Sequence, residues 1–496
     1  MRSTLALRLV GVVGVLAIAA SCASADSGVT ADRSMSTAGP ETTSTTTSLP
    51  VGDDVASDGD GVGDALFPAL GNPGIDVLDY DVDLDYDPST SEIAATVTLT
   101  IAFADDRDEF TLDAVGLDIT SVTIDGADTP FIVEPEELRI DPPTILRRGT
   151  TTKVTIDYTV TPQPLDGADG VPVGWFATEA GSYVLNEPDG ARTWLPSNDH
   201  PSDRAAWTFT VRVPSGTTAV ANGALTSETD DGVTATWVWQ QDDEMPTYLI
   251  LLLTGDYQLV DGVSPTGVPM QSAFVRGVDD WEQKYTDLTI EQLDYFDDLF
   301  GPYPLSSYGI AVTDSDPGLA METMGRSMFS AEDLGGSLAY GPQLLLAHEL
   351  AHQWFGNTVT LGRWQDIWLN ESFATYGEWL WLDHEDLASI DDLAQTALDE
   401  RRSSGGTGPT SPTAESLFGP DSYGGGATVL HALRVTIGDD AFFTLLRRWV
   451  AEHRFGSATT DDFVALAEQV AGRDLERFFD DWLFTADPPP AFPTLS

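Results

Sequence analysis

The 496-residue chain has almost no cysteine: Cys22 is the only one. No internal disulfide can form, so the fold must stand on its apolar cores. Positive charge is equally scarce. Against 80 Asp and Glu there are 23 Lys and Arg, a formal net charge of -57. That balance leaves no basic excess to neutralise phosphates and excludes nucleic acid as a partner. The acidity suits solubility in a salty or exterior medium, and it also attracts cationic substrates such as free amino termini. Histidine is sparse, with six residues. No internal repeat is visible. What the chain does have is length for two or three domains and a 42% hydrophobic composition, enough for large cores.

The start reads as an export signal over residues 1–25. Arg2 and Arg8 precede an apolar run, Val10 to Ala20, that is too short to span a bilayer. Cys22 follows Ala19-Ala20-Ser21, which resembles a bacterial lipoprotein signal with Cys22 as the lipidated residue. Ala19 departs from that pattern, where leucine is commoner. Ordinary cleavage after Ala23-Ser24-Ala25 is the competing reading. The expected location is outside the cytoplasm, as a lipid-anchored cell-surface protein or a secreted one. Residues 26–68 are rich in Ser, Thr, Gly and Asp, and read as a disordered tether.

Residues 69–262 look strand-rich. Tyr80 to Tyr86, Thr96 to Ile101 and Thr208 to Val213 alternate polar with apolar, and Asp125-Gly126 and Asn222-Gly223 are hairpin-turn signals. An all-β domain is expected there. Over residues 263–496 helical spacing takes over, with helices expected at 279–300, 343–355, 370–383, 427–437, 440–453, 459–471 and 474–485. The segment from Gln343 to Phe355 is apolar nearly all round, which predicts a buried helix opened by Pro342 and stopped at Gly356-Asn357.

Inside that apolar helix lies His348-Glu349-Leu350-Ala351-His352, followed by Asn370-Glu371. Positions i and i+4 share a helix face, so His348 and His352 can point at one metal ion. Glu371 can supply the third ligand from a second helix. Two imidazoles, one carboxylate and an open position describe a catalytic zinc centre, one Zn2+ per chain. Glu349 can reach a water there without being a ligand and act as general base. The plain alternative is a pair of hydrogen-bonded core histidines. An iron site with two histidines and a carboxylate is a further one, though its ligands usually come from strands.

HExxH, an 18-residue gap and Glu371 resemble the aminopeptidase N family of zinc metallopeptidases, which includes a leukotriene-processing hydrolase. Other segments carry the resemblance further. Gly318-Leu319-Ala320-Met321-Glu322-Thr323 is similar to the family's G-x-M-E-N motif. Ala191 to Pro201 is similar to its A-R-x-x-F-P-C-x-D-x-P segment. Pro246 to Leu249 with Gly255-Asp256-Tyr257 resembles the end of its β domain. Tyr423 to Arg434 matches its Y-x-K-G-a-x-x-L-x-x-L-R run. The likeness spans roughly residues 72 to 487. It implies a multidomain chain: an N-terminal all-β saddle-like domain, then a thermolysin-like α+β, mostly helical catalytic domain, without the large helical C-terminal domain of long members.

The implied activity is removal of N-terminal residues from peptides with a free amino terminus. The resemblance assigns Glu322, with Glu187 beside it, to the substrate's α-amino group and Tyr423 to the oxyanion. Gly318, Ala320 and Met321 would contribute to peptide binding, with backbone amides near Gly318 and Ala320 orienting it. Asn370 or Asp366 could brace the ligand histidines, or serve as caps or surface groups. Three departures bear on substrate preference: Thr323 for asparagine, Gly425 for lysine, and Leu185 where a glutamine commonly lines the first side-chain pocket. A relaxed zinc oligo- or endopeptidase, and an inactive peptide-binding lipoprotein, are the alternatives. The membrane enters only through the lipid anchor.

Overall fold

The computed structural model describes residues 61–178, 181–278, 281–314, 318–335 and 341–494. Cys22, the export signal and most of the expected tether lie outside them. Among the described residues no helix is long and apolar enough to cross a membrane.

The first part of the chain is built of strands. The largest sheet has eight, in spatial order Ala224–Asp230, Thr234–Met245, Ala205–Pro214, Ile75–Asp87, Glu92–Phe103, Thr151–Val160, Asp118–Ile124 and Ala127–Asp128. All neighbours are antiparallel except Ile75–Asp87 with Ala205–Pro214. The expected alternation is present: Tyr80, Val82, Leu84 and Tyr86 are buried, while Asp81 and Asp85 face water. A register shift between Val77 and Asp79 marks a bulge in the same strand. A five-stranded sheet (Thr218–Ala221, Leu252–Gly255, Ser182–Leu185, Pro172–Ala177, Leu165–Asp166) carries the edge that reaches the site.

Asp125-Gly126 forms the expected two-residue hairpin, with both residues at positive φ. Asn222-Gly223 does not. Thr218–Ala221 before it and Ala224–Asp230 after it belong to different sheets. Asn222 is buried instead: its side chain donates to the carbonyls of Leu249 and Met324 and accepts from Leu251 N–H. The tight turn is real, but it moves the chain from one sheet to the next.

Nine helices follow among the described residues: α1 (Trp281–Phe300), α2 (Ala331–Gly335), α3 (Gly341–Ala351), α4 (Trp368–His384), α5 (Ile390–Ser404), α6 (Gly426–Ile437), α7 (Asp439–His453), α8 (Thr460–Ala471) and α9 (Glu476–Trp482). A four-stranded sheet, Tyr257–Val263, Pro269–Val275, Ile310–Thr313 and Ser327–Ser330, packs with them. Two features correct the sequence reading. The buried helix ends at Ala351 rather than Phe355, and its first turn is only half-buried. α5 was not expected, although its buried Ile390, Leu393, Ala394, Ala397, Leu398 and Arg401 follow the helical spacing.

The two parts of the chain are bolted together by buried polar groups. Arg204, 8% exposed, donates to Thr360 Oγ1 and to the carbonyls of Asn357 and Glu244. Tyr248 donates to Gly356 O at 3.1 Å and receives the Asn370 amide at 3.3 Å. Residues 61–68, which composition placed in the tether, are folded: Asp64 accepts from Trp364 N–H at 2.8 Å and faces His200 Nε2 at 3.4 Å. Burial opposes the Asp64 charge, but hydrogen bonds from His200, Trp364, Leu66 and Phe67 override it and lower its pKa to about 2.

Candidate active site

α3 ends one residue before His352, yet His352 N–H still donates to His348 O at 3.2 Å. The helical path therefore lasts long enough to keep the two imidazoles on one face. α4 crosses α3 closely because Gly377 meets Ala351; a Cβ on Gly377 would stand 2.9 Å from the Ala351 methyl. That approach brings Glu371 between the histidines. Its Oε2 lies 3.3 Å from His348 Nε2 and 3.6 Å from His352 Nε2. All three residues are buried, and their donor atoms lie within 4.8 Å of one another.

The far side of each ring is already committed. His348 Nδ1 is 2.6 Å from Glu378 Oε1, and His352 Nδ1 is 3.1 Å from Phe355 O. Both rings thus turn Nε2 toward Glu371, with the tautomer a metal needs. Neither Asn370 nor Asp366, the braces considered from sequence, does this. Asp366 binds Arg363 and the Thr460 hydroxyl, and Asn370 reaches Tyr248. Glu378 was missed, though it stands seven residues after Glu371 on the same face of α4. Glu378→Gln is expected to weaken metal affinity by about 10–100-fold, read by competition with a chelator. Undiminished affinity would leave Glu378 without that role.

Glu349 points into the same cavity. Burial raises its pKa to about 8; His348 and His352 oppose the rise, and Glu322 and Glu371 add to it. Burial also works against the charge on Glu371, but the two histidines overcome it and hold that carboxylate at about 2. Glu349 Oε2, Glu322 Oε1 and Glu187 Oε1 are sealed from solvent and find no hydrogen-bond partner among the described residues. Such orphaned carboxylate oxygens are costly unless a cation or donor completes them. Burial pushes Glu187 up, and neighbouring carboxylates push further; burial also raises Glu322, with His352 and His348 opposing it and Glu371 adding to it.

The remaining expected residues also converge here. Gly318, Ala320 and Met321 line the cavity with Glu322 and Glu187. Glu322 is held by its own carbonyl, which accepts from Asn357 Nδ2 at 2.6 Å and Gln353 Nε2 at 3.2 Å. The segment from Ala191 to Pro201 is scaffolding for the Glu187 loop: Trp194 Nε1 donates to Asn186, and Arg192 pairs with Asp189 at 2.6 Å. Tyr423 sits in a single π-turn, Asp421–Gly425, that leads into α6. Its ring lies 5.9 Å from the His348 ring, nearly parallel to it. The turn is pinned to α4 by Ser372 Oγ donating to Ser422 O at 2.6 Å. A side chain at Gly426 would strike Ser372, so glycine permits this contact. Cys22 lies outside the described residues.

The donor set suits a divalent ion of the zinc type: two imidazoles and a carboxylate, with the second partner of each ring in place. Beside it stand a buried base, a phenol and two further carboxylates. This arrangement can activate a water, stabilise a developing oxyanion and hold an ammonium.

Two family models match the chain: the Peptidase M1 N-terminal domain over residues 77–249, and the Peptidase family M1 domain over residues 285–482. Aminopeptidase N of Streptomyces lividans is 27% identical over 459 residues, covering 83% of this chain and 50% of that protein. Probable aminopeptidase 2 of Sulfurisphaera tokodaii is 28% identical over 404 residues, 76% of this chain and 49% of that protein. The chain spans about half, or less, of the length of the curated relatives it matches. Among solved structures, an M1 zinc metallopeptidase from Deinococcus radiodurans superposes with TM-score 0.82 at 30% identity, covering 88% of this chain and 99% of that one. A mutant M1 zinc metallopeptidase from the same organism, bound to a Tyr-Ser-Ala substrate, matches with TM-score 0.80 at 30% identity over the same shares.

Proposed function

The chain belongs to peptidase family M1, and on that premise we propose that it is a zinc-dependent aminopeptidase, removing the first residue from peptides with a free amino terminus. One observation carries the reading. Two sealed carboxylate oxygens, on Glu187 and Glu322, have no partner among the described residues and share a cavity with the His348, His352 and Glu371 cluster. An ammonium is the peptide group that completes them, and its position beside the metal ligands restricts cleavage to the first peptide bond.

His348, His352 and Glu371 would hold the zinc ion, which would supply Lewis acidity to the scissile carbonyl and to a water. Glu349 takes a proton from that water and delivers it to the leaving amine. The Tyr423 hydroxyl donates to the oxyanion, an interaction worth about 3 kcal/mol at comparable sites. Burial and the surrounding carboxylates push that phenol up, so it keeps its proton for donation. Gly318, Ala320 and Met321 flank the peptide. The sequence also supports export, with Cys22 lipidated and the enzyme held at the cell surface. Cys22→Ala should release it to the medium.

Glu322→Gln tests the anchor. A buried charge pair lost from one side costs several kcal/mol, so kcat/KM on a free dipeptide should fall by about 10²–10³-fold. An effect under about twofold would remove Glu322 from the amine site.

A further inference from the structure

Among the described residues, the cavity that takes the amino terminus is lined by six carboxylates, on Asp169, Glu187, Glu322, Glu349, Glu371 and Glu415, and by no Lys or Arg. A divalent metal and one substrate ammonium answer three of those charges, and Glu349, the general base, is a fourth carboxylate already in use. Asp169 and Glu415 remain at the mouth, in loops from different parts of the chain. We propose that the site selects a cationic first residue, arginine or lysine, whose side-chain charge is taken by Asp169 and Glu415. The proposal rests on the aminopeptidase reading and names its substrate class.

The geometry matches a long side chain with a charged tip. Leu185 stands two residues before Glu187 and pairs with Gly174, next to Val173. Leu185 and Val173 both line the cavity, so an apolar wall adjoins the amine anchor, and Met321 and Phe418 extend it. A methylene stem lies on such a wall and carries its charge onward to the rim. Asp169 waits there, in the turn between Leu165–Asp166 and Pro172–Ala177. Its Oδ1 is fixed by Val171 N–H at 2.9 Å, and its charge is felt at Glu187. Glu415 projects from the short helical turn Ala414–Ser416. The bland reading is that these two acids belong to the general negative surface. One fact opposes it: the same cavity ends in the orphaned Glu187 and Glu322 oxygens, beside the apolar Leu185. An acidic first residue meets only like charge here.

The test uses the zinc-loaded full chain and fluorogenic Arg, Lys, Leu, Ala and Glu substrates. Arg and Lys should exceed Leu and Ala by about tenfold in kcat/KM, mainly through KM, with Glu poorest. The Arg-to-Leu ratio should fall toward one in Asp169→Asn and Glu415→Gln, and should shrink in high salt. Calorimetric binding of argininamide against leucinamide needs no turnover, so it separates this proposal from the activity itself. Tighter argininamide binding, lost in the double variant, supports it. Equal binding of the two amides, or a Leu preference untouched by the variants, overturns it.

Discussion

Glu349→Gln is expected to lower kcat by about 10³–10⁴-fold while the purified protein still carries its zinc. The reason lies in the separation of roles along α3. His348 and His352 aim Nε2 at Glu371, whereas Glu349, one residue on, leaves a sealed Oε2 facing the same cavity without a partner among the described residues. Glutamine preserves size and can satisfy the pocket, but it cannot take a proton. The metal ligands and their braces, Glu378 and Phe355 O, are untouched by the change. KM should therefore move little, and metal analysis should match the parent. If kcat survives, the base is elsewhere; if zinc is lost with it, Glu349 is not separable from the metal set.

Glu371→Ala carries the complementary loss. It deletes one of three ligands, and two histidines alone do not make a catalytic zinc site. Zinc occupancy should collapse after dialysis, and activity should fall to background until metal is supplied in large excess. Alanine is a good helix former and α4 is packed along most of its length, so the fold should persist. Far-ultraviolet circular dichroism with metal analysis separates the two effects. Full zinc content in a folded Glu371→Ala protein would rule out the ligand assignment.

The histidine–glutamate cluster was legible because it is local. His348, Glu349 and His352 are placed by helix periodicity alone, and Glu371 by its distance in sequence. Glu378 also lies on a readable face, seven residues after Glu371, but its partner depends on how α4 crosses α3. The Gly377–Ala351 approach that fixes this crossing has no signature within either helix. Asn222-Gly223 shows the same limit. The dipeptide announces a tight turn, yet which sheet receives the next strand depends on Asn222 reaching Leu249, Leu251 and Met324. Asp169 comes from a turn and Glu415 from a single short helical turn, neither with periodicity, and only the finished fold puts both on one cavity. α5 is a different case: Ser389 before it, Gly405 in the left-handed region after it and its buried spacing were all readable.

The measurement that bears most directly on the whole account is product mass spectrometry on one defined peptide, free or acetylated at its amino terminus, treated with the zinc-loaded chain. The account predicts stepwise loss of single residues from the free peptide, none from the acetylated one, and no cleavage of either after chelation until zinc is restored. Internal cleavage, or equal attack on the acetylated peptide, would contradict it.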